Sequence, residues 1–312
     1  MIPRAVSFRR LLLPALCYLA GSLPAAPTVD FLHLTDTHVT DLREVAEPIA
    51  KARVHFKDTG PALEKFLGGE VRALGVDLVL ITGDLIDGFS FVAGDGRRVH
   101  GQIDAFLRAT RPCPVPLFAL LGNHDLSHYG VSAAGKPAAD QSVAGEARAA
   151  WGAAVPSLRQ GTYTAFTQQA GETKYHFVLL DNGYSAAGSD DKGGFRMAHE
   201  QLFWLRRQME TSGKAVKIVA LHVPLGADAN SQAIKAELAR APQVALVLAG
   251  HVHKDGIDDL ALGESKRTVQ VRTHAFGYGV NHWRRVRLHA DRIEVFATGS
   301  RDRVERTIAS GR

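Results

Sequence analysis

The stretch "VPLFALLGNHD", residues 115–125, decides the fold. An apolar run from Val115 to Leu121 stops at Gly122 and is followed at once by Asn123, His124 and Asp125. A run this short and this apolar reads as a strand covered on both faces. Gly122 suits a turn and Asn123 tolerates one, but no structural requirement places a histidine next.

The same figure recurs along the chain. "VDFLHLTDTH" (29–38), "VDLVLITGD" (76–84), "KIVALHVP" (217–224) and "VALVLAGHVH" (244–253) are apolar runs that also end in polar, chemically capable residues. Helical patterns lie between them, over 61–75, over "QIDAFLRAT" (102–110) and over "AHEQLFWLRRQME" (198–210), with a further short helix before 244. "TYTAFTQ" and "KYHFVLLDN" read as an antiparallel pair, and "RTVQVRTH", "WRRVRLHA" and "RIEVFAT" as closing strands of alternating exposure. Buried strands alternating with helices predict an α/β protein whose ligands bind beyond the C-terminal strand ends.

Five runs terminate in Asp36 and His38, in Asp84, in Asn123 and His124, in His222, and in His251 and His253. Each alone reads as a cap, a turn or a packed histidine; five at corresponding ends read as one site. Imidazole nitrogen with carboxylate and amide oxygen, and no sulfur, suits Mn, Fe, Zn or Co. Seven candidate ligands exceed one tetrahedral site and fit two ions sharing a carboxylate, about 3.5–4 Å apart, a clamp for in-line displacement at phosphorus. Asn123 then serves as a neutral ligand and His124 as a catalytic group beside it.

In these residues the sequence resembles the calcineurin-like metallophosphoesterases, whose pattern D-x-H, G-D-x-x-[DN], G-N-H-[DE], a lone His and G-H-x-H appears here in order. It is carried by Asp36-Thr37-His38, Gly83-Asp84-Leu85-Ile86-Asp87, Gly122-Asn123-His124-Asp125, His222 and Gly250-His251-Val252-His253. The resemblance spans residues 28 to 298 and is similar in size and spacing to the smaller bacterial members, among them the class III cyclic-nucleotide phosphodiesterases. It implies a four-layer αββα sandwich, two mixed sheets face to face with helices outside. It also implies two divalent or mixed-valence ions (Mn, Fe or Zn), the first held by Asp36, His38, Asp84 and His253, the second by Asp84, Asn123, His222 and His251. His124 then meets the leaving oxygen and Asp87 orients it, with Asp125 competing for that role. The implied reaction is in-line attack on a phosphomonoester or phosphodiester by a hydroxide bridging the ions, without a phosphoenzyme. Asp87 stands where purple acid phosphatases carry the tyrosine that binds ferric iron, so no charge-transfer colour is expected.

The N-terminus reads differently. "MIPRAVSFRR" is basic, "LLLPALCYLAG" apolar and "SLPAAP" small, the order of a secretory signal over residues 1–26, by the general or the twin-arginine route. The expected organisation is that signal, a phosphoesterase domain over 27–300 and a C-terminal tail over 301–312, in a periplasmic or secreted protein without a stable membrane anchor. Removing the signal takes three arginines and no acid from the formal net charge of +5, which leaves about +2. That balance offers no electrostatic footprint for nucleic acid, and the expected partner is a small-molecule phosphate ester. Only Cys113 of the two cysteines then remains, so neither an internal disulfide nor a thiolate cluster can form. Two alternatives stand beside the leading one, a metal-binding module without catalysis and a nuclease of the same superfamily. His55, Lys57, Arg97, Arg98, His128 and Tyr129 are loop candidates for substrate contact, while His33, His274 and His282 read as structural. The Ala/Gly-rich region 126–161 reads as a helix with flexible flanks or part of a substrate lid. The sequence leaves oligomeric state open.

Overall fold

A computed structural model describes residues 27–183 and 196–310. The expected signal over 1–26 lies outside the described residues. Two six-stranded sheets form the centre. The first runs in the order β16 (Val304–Ala309), β15 (Arg292–Phe296), β14 (Arg284–Leu288), β1 (Val29–Leu34), β2 (Leu78–Thr82) and β5 (Leu117–Leu120). The second runs β12 (Gly256–Ala261), β13 (Arg267–Arg272), β11 (Val244–Ala249), β10 (Val216–Ala220), β9 (Thr173–Leu179) and β8 (Thr164–Ala170). Both are mixed. β1, β2 and β5 are parallel, as are β9, β10, β11 and β13, and the outer pairs are antiparallel.

The two-residue period of a strand explains the layering. On β1 and β2, Phe31, Leu78 and Leu80 face inward, where they meet Phe177, Leu179, Ile218, Leu246 and Leu248 of the second sheet in one buried cluster. Their neighbours Leu32, Leu34, Val79 and Ile81 face outward onto helices. There they pack under α2 (Thr59–Lys65), α3 (Val71–Leu74), α4 (Gln102–Thr110) and α5 (Ala144–Ala154), which follows α1 (Glu47–Arg53) in the same half of the chain. The outer face of the second sheet is covered by Leu205 and Met209 of α6 (His199–Thr211) and by Ile234 and Leu238 of α7 (Ala229–Leu238). The result is the expected four-layer αββα sandwich. The helix predicted over 61–75 is continuous from Thr59 to Leu74 apart from a π-helical turn at Phe66–Glu70, and it ends on Gly75 at φ 62°.

Two features differ from the expectation. Residues 126–161 contain the expected helix, α5, but the flank before it is ordered as strands. Their first part, β6 (His128–Val131) and β7 (Pro137–Asp140), joins β3 (Ser90–Val92) and β4 (Arg98–Val99) in a small sheet, and α5 follows. Phe91 and Tyr129 of this small sheet pack with Val45, Ala46 and Ile49 against α1, which fixes it beside the strand ends. The segment read as a C-terminal tail contains β16, which pairs with β15 at the edge of the first sheet. Its sequence "VERTIA" carries two charges and is mostly exposed, the composition of an edge strand rather than a buried one.

Candidate dinuclear metal centre

Five of the seven candidate ligands stand two or three residues beyond the last paired residue of their strands, and His38 and His253 follow two residues later. Asp36 follows Leu34 by two residues, Asp84 follows Thr82, His222 follows Ala220, His251 follows Ala249, and Asn123 follows Leu120 by three. The backbone there is strained. Among the described residues, six non-glycines have positive φ, and five of them are Asp36, His38, Asp84, His251 and His253. An L-residue in that region costs roughly 1–2 kcal/mol, so the surroundings must hold it. They do so by interlocking the loops. Asp36 N–H donates to Gly83 O at 2.9 Å and His38 N–H to Asp84 O at 2.9 Å. His251 N–H donates to Asp36 Oδ2 at 3.0 Å, and His124 N–H to Asp84 Oδ1 at 2.8 Å. A Cβ at Gly122 would overlap the backbone nitrogen and carboxylate of Asp84, and one at Gly250 would overlap Thr35 Oγ1. Both glycines are therefore required by close approach rather than by turn geometry.

The ligands converge from both sheets. One donor atom from each of Asp36, His38, Asp84 and His253 lies within 4.8 Å of the others, and the same holds for Asp84, His222 and His251. Asp84 belongs to both groups, and Asn123 Oδ1 lies 3.1 Å from His222 Nε2. The residues fit a pair of cations. His38 Nε2 faces His253 Nε2 at 3.2 Å, and His222 Nε2 faces His251 Nδ1 at 3.3 Å. Two neutral imidazoles whose outer nitrogens carry the protons would meet lone pair to lone pair there, which a shared cation makes favourable. Two of the outer nitrogens face acceptors in that sense. His222 Nδ1 donates to Thr82 O at 2.8 Å, and His38 Nδ1 lies 3.3 Å from Asp87 Oδ1. Asn182 fixes the His222 loop, its Oδ1 accepting from the backbone N–H of His222 and Val223 at 3.0 and 3.1 Å.

The electrostatics agree. Burial opposes ionisation of Asp36 and Asp84, yet their carboxyls are held below the ordinary range, Asp36 by the His253 hydrogen bond and Asp84 by the charges of His222 and His124. Against the same burial, Asp84 draws His222 up to about 10, while burial and then the His222 charge push His251 down to about 4. Two buried carboxylates are thus recruiting positive charge.

His124 sits at the edge of this group with its side chain 15% exposed. Its Nδ1 donates to the backbone oxygen of Asp87 at 2.9 Å, with Tyr129 Oη at 3.2 Å and Asp87 Oδ1 at 3.5 Å. Asp87 therefore holds the ring mainly through its carbonyl, while its buried carboxylate is shared with His38 and with Arg53 Nη1 at 3.4 Å. Burial resists charge on His124, but Asp84 and then Asp87 carry it up to about 9. Asp125 points elsewhere. It accepts from the backbone N–H of Gly122 at 2.7 Å, Ile86 at 3.0 Å and Leu85 at 3.2 Å, tying the β2 and β5 loops together.

All nine residues singled out from the sequence, the seven ligand candidates with His124 and Asp87, fall in this one constellation. Of the loop candidates, Tyr129 reaches His124 and His55 stacks on Tyr278, whereas Arg97 pairs with Glu44, Arg98 with Glu146 and His128 with Ser90. His33 is buried between Thr82 and Thr273. Arg53, Phe56 and Asn182 were not singled out. Asn182 closes "KYHFVLLDN" at a strand end, a signal of the same kind as the others. Phe56, whose ring lies flat on His38 at 4.4 Å, and Arg53, whose guanidinium lies 4.6 Å over Tyr129, sit on a helix and the turn after it, with no motif to mark them.

Strand-end carboxylates and imidazoles from two face-to-face sheets thus form a donor cluster suited to a pair of cations in an αββα fold. The sequence comparison is decisive at the next level: the calcineurin-like phosphoesterase family matches residues 29–255, and the chain belongs to it. Its sequence is 28% identical over 219 residues to the 3',5'-cyclic adenosine monophosphate phosphodiesterase CpdA of Pseudomonas aeruginosa, a match covering 65% of this chain and 64% of that protein. Its structure is similar to a dimetal phosphatase from Danio rerio, with a TM-score of 0.64 at 16% identity over 91% of this chain and 100% of that one. It is also similar in fold to PhoD, with a TM-score of 0.54 at 15% identity over 87% of this chain and 66% of that one. The chain spans 64% of the length of the curated Pseudomonas aeruginosa relative, and within the family match its His/Asp cluster is a candidate metal-binding site.

Proposed function

We propose that this protein is an exported phosphoesterase that hydrolyses a phosphomonoester or phosphodiester of a small molecule at the strand-end centre. The observation that carries the reading is Asp84, common to two ligand groups and bonded through Oδ1 to the backbone of His124. Asp36, His38, Asp84 and His253 would hold one divalent ion, and Asp84, Asn123, His222 and His251 the other, with Mn, Fe and Zn all compatible with the donor set. The chemistry that such a pair supplies when bound is polarisation of the phosphoryl oxygens and a nucleophile drawn from water at neutral pH.

The chain's own residues do the rest. Asp84 Oδ1 fixes the backbone at His124, and Asp87 O fixes its ring. With Nδ1–H committed to that carbonyl, Nε2 is the atom left for substrate. Protonated, it donates to the departing ester oxygen and stabilises the charge that develops there. Substrates of the cyclic-nucleotide phosphodiesterase relative, other nucleotides, phospholipid-derived diesters and sugar phosphates all present the same reacting phosphorus.

The test is hydrolysis of bis-p-nitrophenyl phosphate and p-nitrophenyl phosphate by the chain lacking residues 1–26, with Mn added. Turnover of either ester, abolished in Asp84→Ala, supports the proposal. Two ions bound with neither ester cleaved would replace it with a metal-binding module. Export is checked separately, by sequencing the N-terminus of the protein recovered from a periplasmic fraction. A chain beginning near residue 27 is expected, and an intact N-terminus in the cytoplasm would overturn export.

A further inference from the structure

We infer that Tyr278 and His55 form an aromatic shelf at the mouth of the metal centre that receives a planar ring carried by the substrate. The site would then favour nucleotides or aryl phosphoesters over aliphatic ones. The inference rests on the phosphoesterase reading above and narrows its substrate class. It starts from an exposed side chain in an unusual place. The Tyr278 ring lies 5.2 Å from the ring of the candidate ligand His253, yet the residue is 52% exposed. His55 stacks nearly parallel to it, 5.7 Å between centroids at 15°, and Phe56 meets it edge-on at 5.3 Å. Phe56 in turn lies flat against His38. A continuous file of rings therefore leads from two candidate metal ligands outward to solvent.

The shelf is rigid. Tyr278 closes a 3-10 turn, Phe276–Tyr278, whose backbone is hydrogen-bonded to the first ligand loop. Phe276 N–H donates to Thr35 O at 3.0 Å and Gly277 N–H to Asp36 O at 2.9 Å. A Cβ at Gly277 would come within 3.1 Å of the Phe56 ring and 3.2 Å of Asp36 O, so the turn sits tightly against both. Exposed apolar residues also occur close by in sequence: Val54 and Val252, adjacent to His55 and His253, are 51 and 45% exposed, and Val280, two residues after Tyr278, is 49% exposed. With Tyr278 they make up four of the seven large hydrophobics exposed among the described residues. An aromatic face left uncovered beside a reactive centre, as Tyr278 is, is what a ligand's organic portion would bury. A ring suits this surface best, because it can continue the stack that His55 and Tyr278 begin, which an aliphatic chain cannot do.

The experiment compares the Mn-loaded wild-type chain with Tyr278→Ala on matched esters. The ring-bearing members are adenosine 5'-monophosphate, adenosine 3',5'-cyclic monophosphate and phenyl phosphate. The ring-free members are glycerol 3-phosphate and glycerophosphoethanolamine. Using the ratio of variant to wild type on each ester cancels differences in leaving-group chemistry. The shelf predicts a fall in kcat/KM of about tenfold or more on ring-bearing esters, against about twofold or less on ring-free ones. Tyr278→Phe should retain the preference and Tyr278→Leu should not, while His55→Ala should shift it in the same direction by less. Loss on the nucleotides alone would place the ring at nucleoside distance; loss on phenyl phosphate as well would place it next to phosphorus. Equal losses on both groups, or none, would overturn the inference. Inhibition or binding by adenosine 5'-monophosphate against inorganic phosphate gives a second readout. The Kd of the nucleotide alone should weaken in Tyr278→Ala. If the wild type cleaves none of these esters and neither nitrophenyl ester, the phosphoesterase reading fails while the binding comparison still decides the shelf.

Discussion

One threonine holds two buried histidines that behave in opposite ways. His33, inside β1, contacts Thr82 Oγ1 through Nε2 and Thr273 Oγ1 through Nδ1, both at 2.8 Å, and burial pushes its pKa down to about 3. His222, just past the end of β10, donates from Nδ1 to Thr82 O at 2.8 Å, and Asp84 raises it to about 10 despite the same complete burial. Burial alone therefore does not make a site. Within the strand, two hydroxyls satisfy a neutral ring. At the strand end, carboxylates face the ring and leave it needing a positive charge, from a proton or a metal.

The largest expected effect separates ligation from catalysis at the strand ends. His124→Asn keeps the backbone bond to Asp84 and removes the ring that faces substrate, so kcat should fall by about 10²–10⁴-fold while metal content stays at the wild-type level. Loss of the metals in this variant would mean that His124 belongs to the ligand set instead.

The next effect tests the strand interior. His33 is held neutral when folded and would accept a proton near pH 6.5 once unfolded, so the unfolded state binds the extra proton below that pH. Its contribution is fully present above about 6.5 and is lost as pH falls toward about 3, reaching roughly 3 kcal/mol by pH 4. Urea unfolding between pH 7 and pH 4 should show a shallower decline in His33→Gln than in wild type. Identical slopes would mean that His33 is not held neutral.

The smallest effect lies between the two regions, where the small sheet touches the centre. Tyr129→Phe removes the hydroxyl 3.2 Å from His124 Nδ1 and keeps the ring under Arg53. Because Asp87 O remains as the acceptor, kcat should fall only about threefold to tenfold with KM little changed. A matching rise in KM would make Tyr129 a substrate contact.

The strand ends were legible in the sequence because the demands there are chemical: each breaks an apolar run with residues that no turn requires. The central strands were legible for the complementary reason, since a strand covered on both faces has to be apolar throughout. Other parts were hidden by ordinary composition. β16 reads as a tail because an edge strand facing water carries the residues of a tail. β6 and β7 lie in Ala- and Gly-rich sequence, and what orders them is the packing of Tyr129 and Phe91 on α1. Arg53 carries no motif in the sequence, and its place beside Asp87 depends on a contact 34 positions away that no local pattern records.

The central claim is that Asp84 joins two cation sites at the ends of two facing sheets. It is tested most directly by counting Mn bound per chain, by elemental analysis after equilibration and desalting, in wild type and in Asp84→Asn. Two ions in wild type and at most one in the variant is the predicted result. One ion or none in wild type, or two retained without the Asp84 charge, would contradict it.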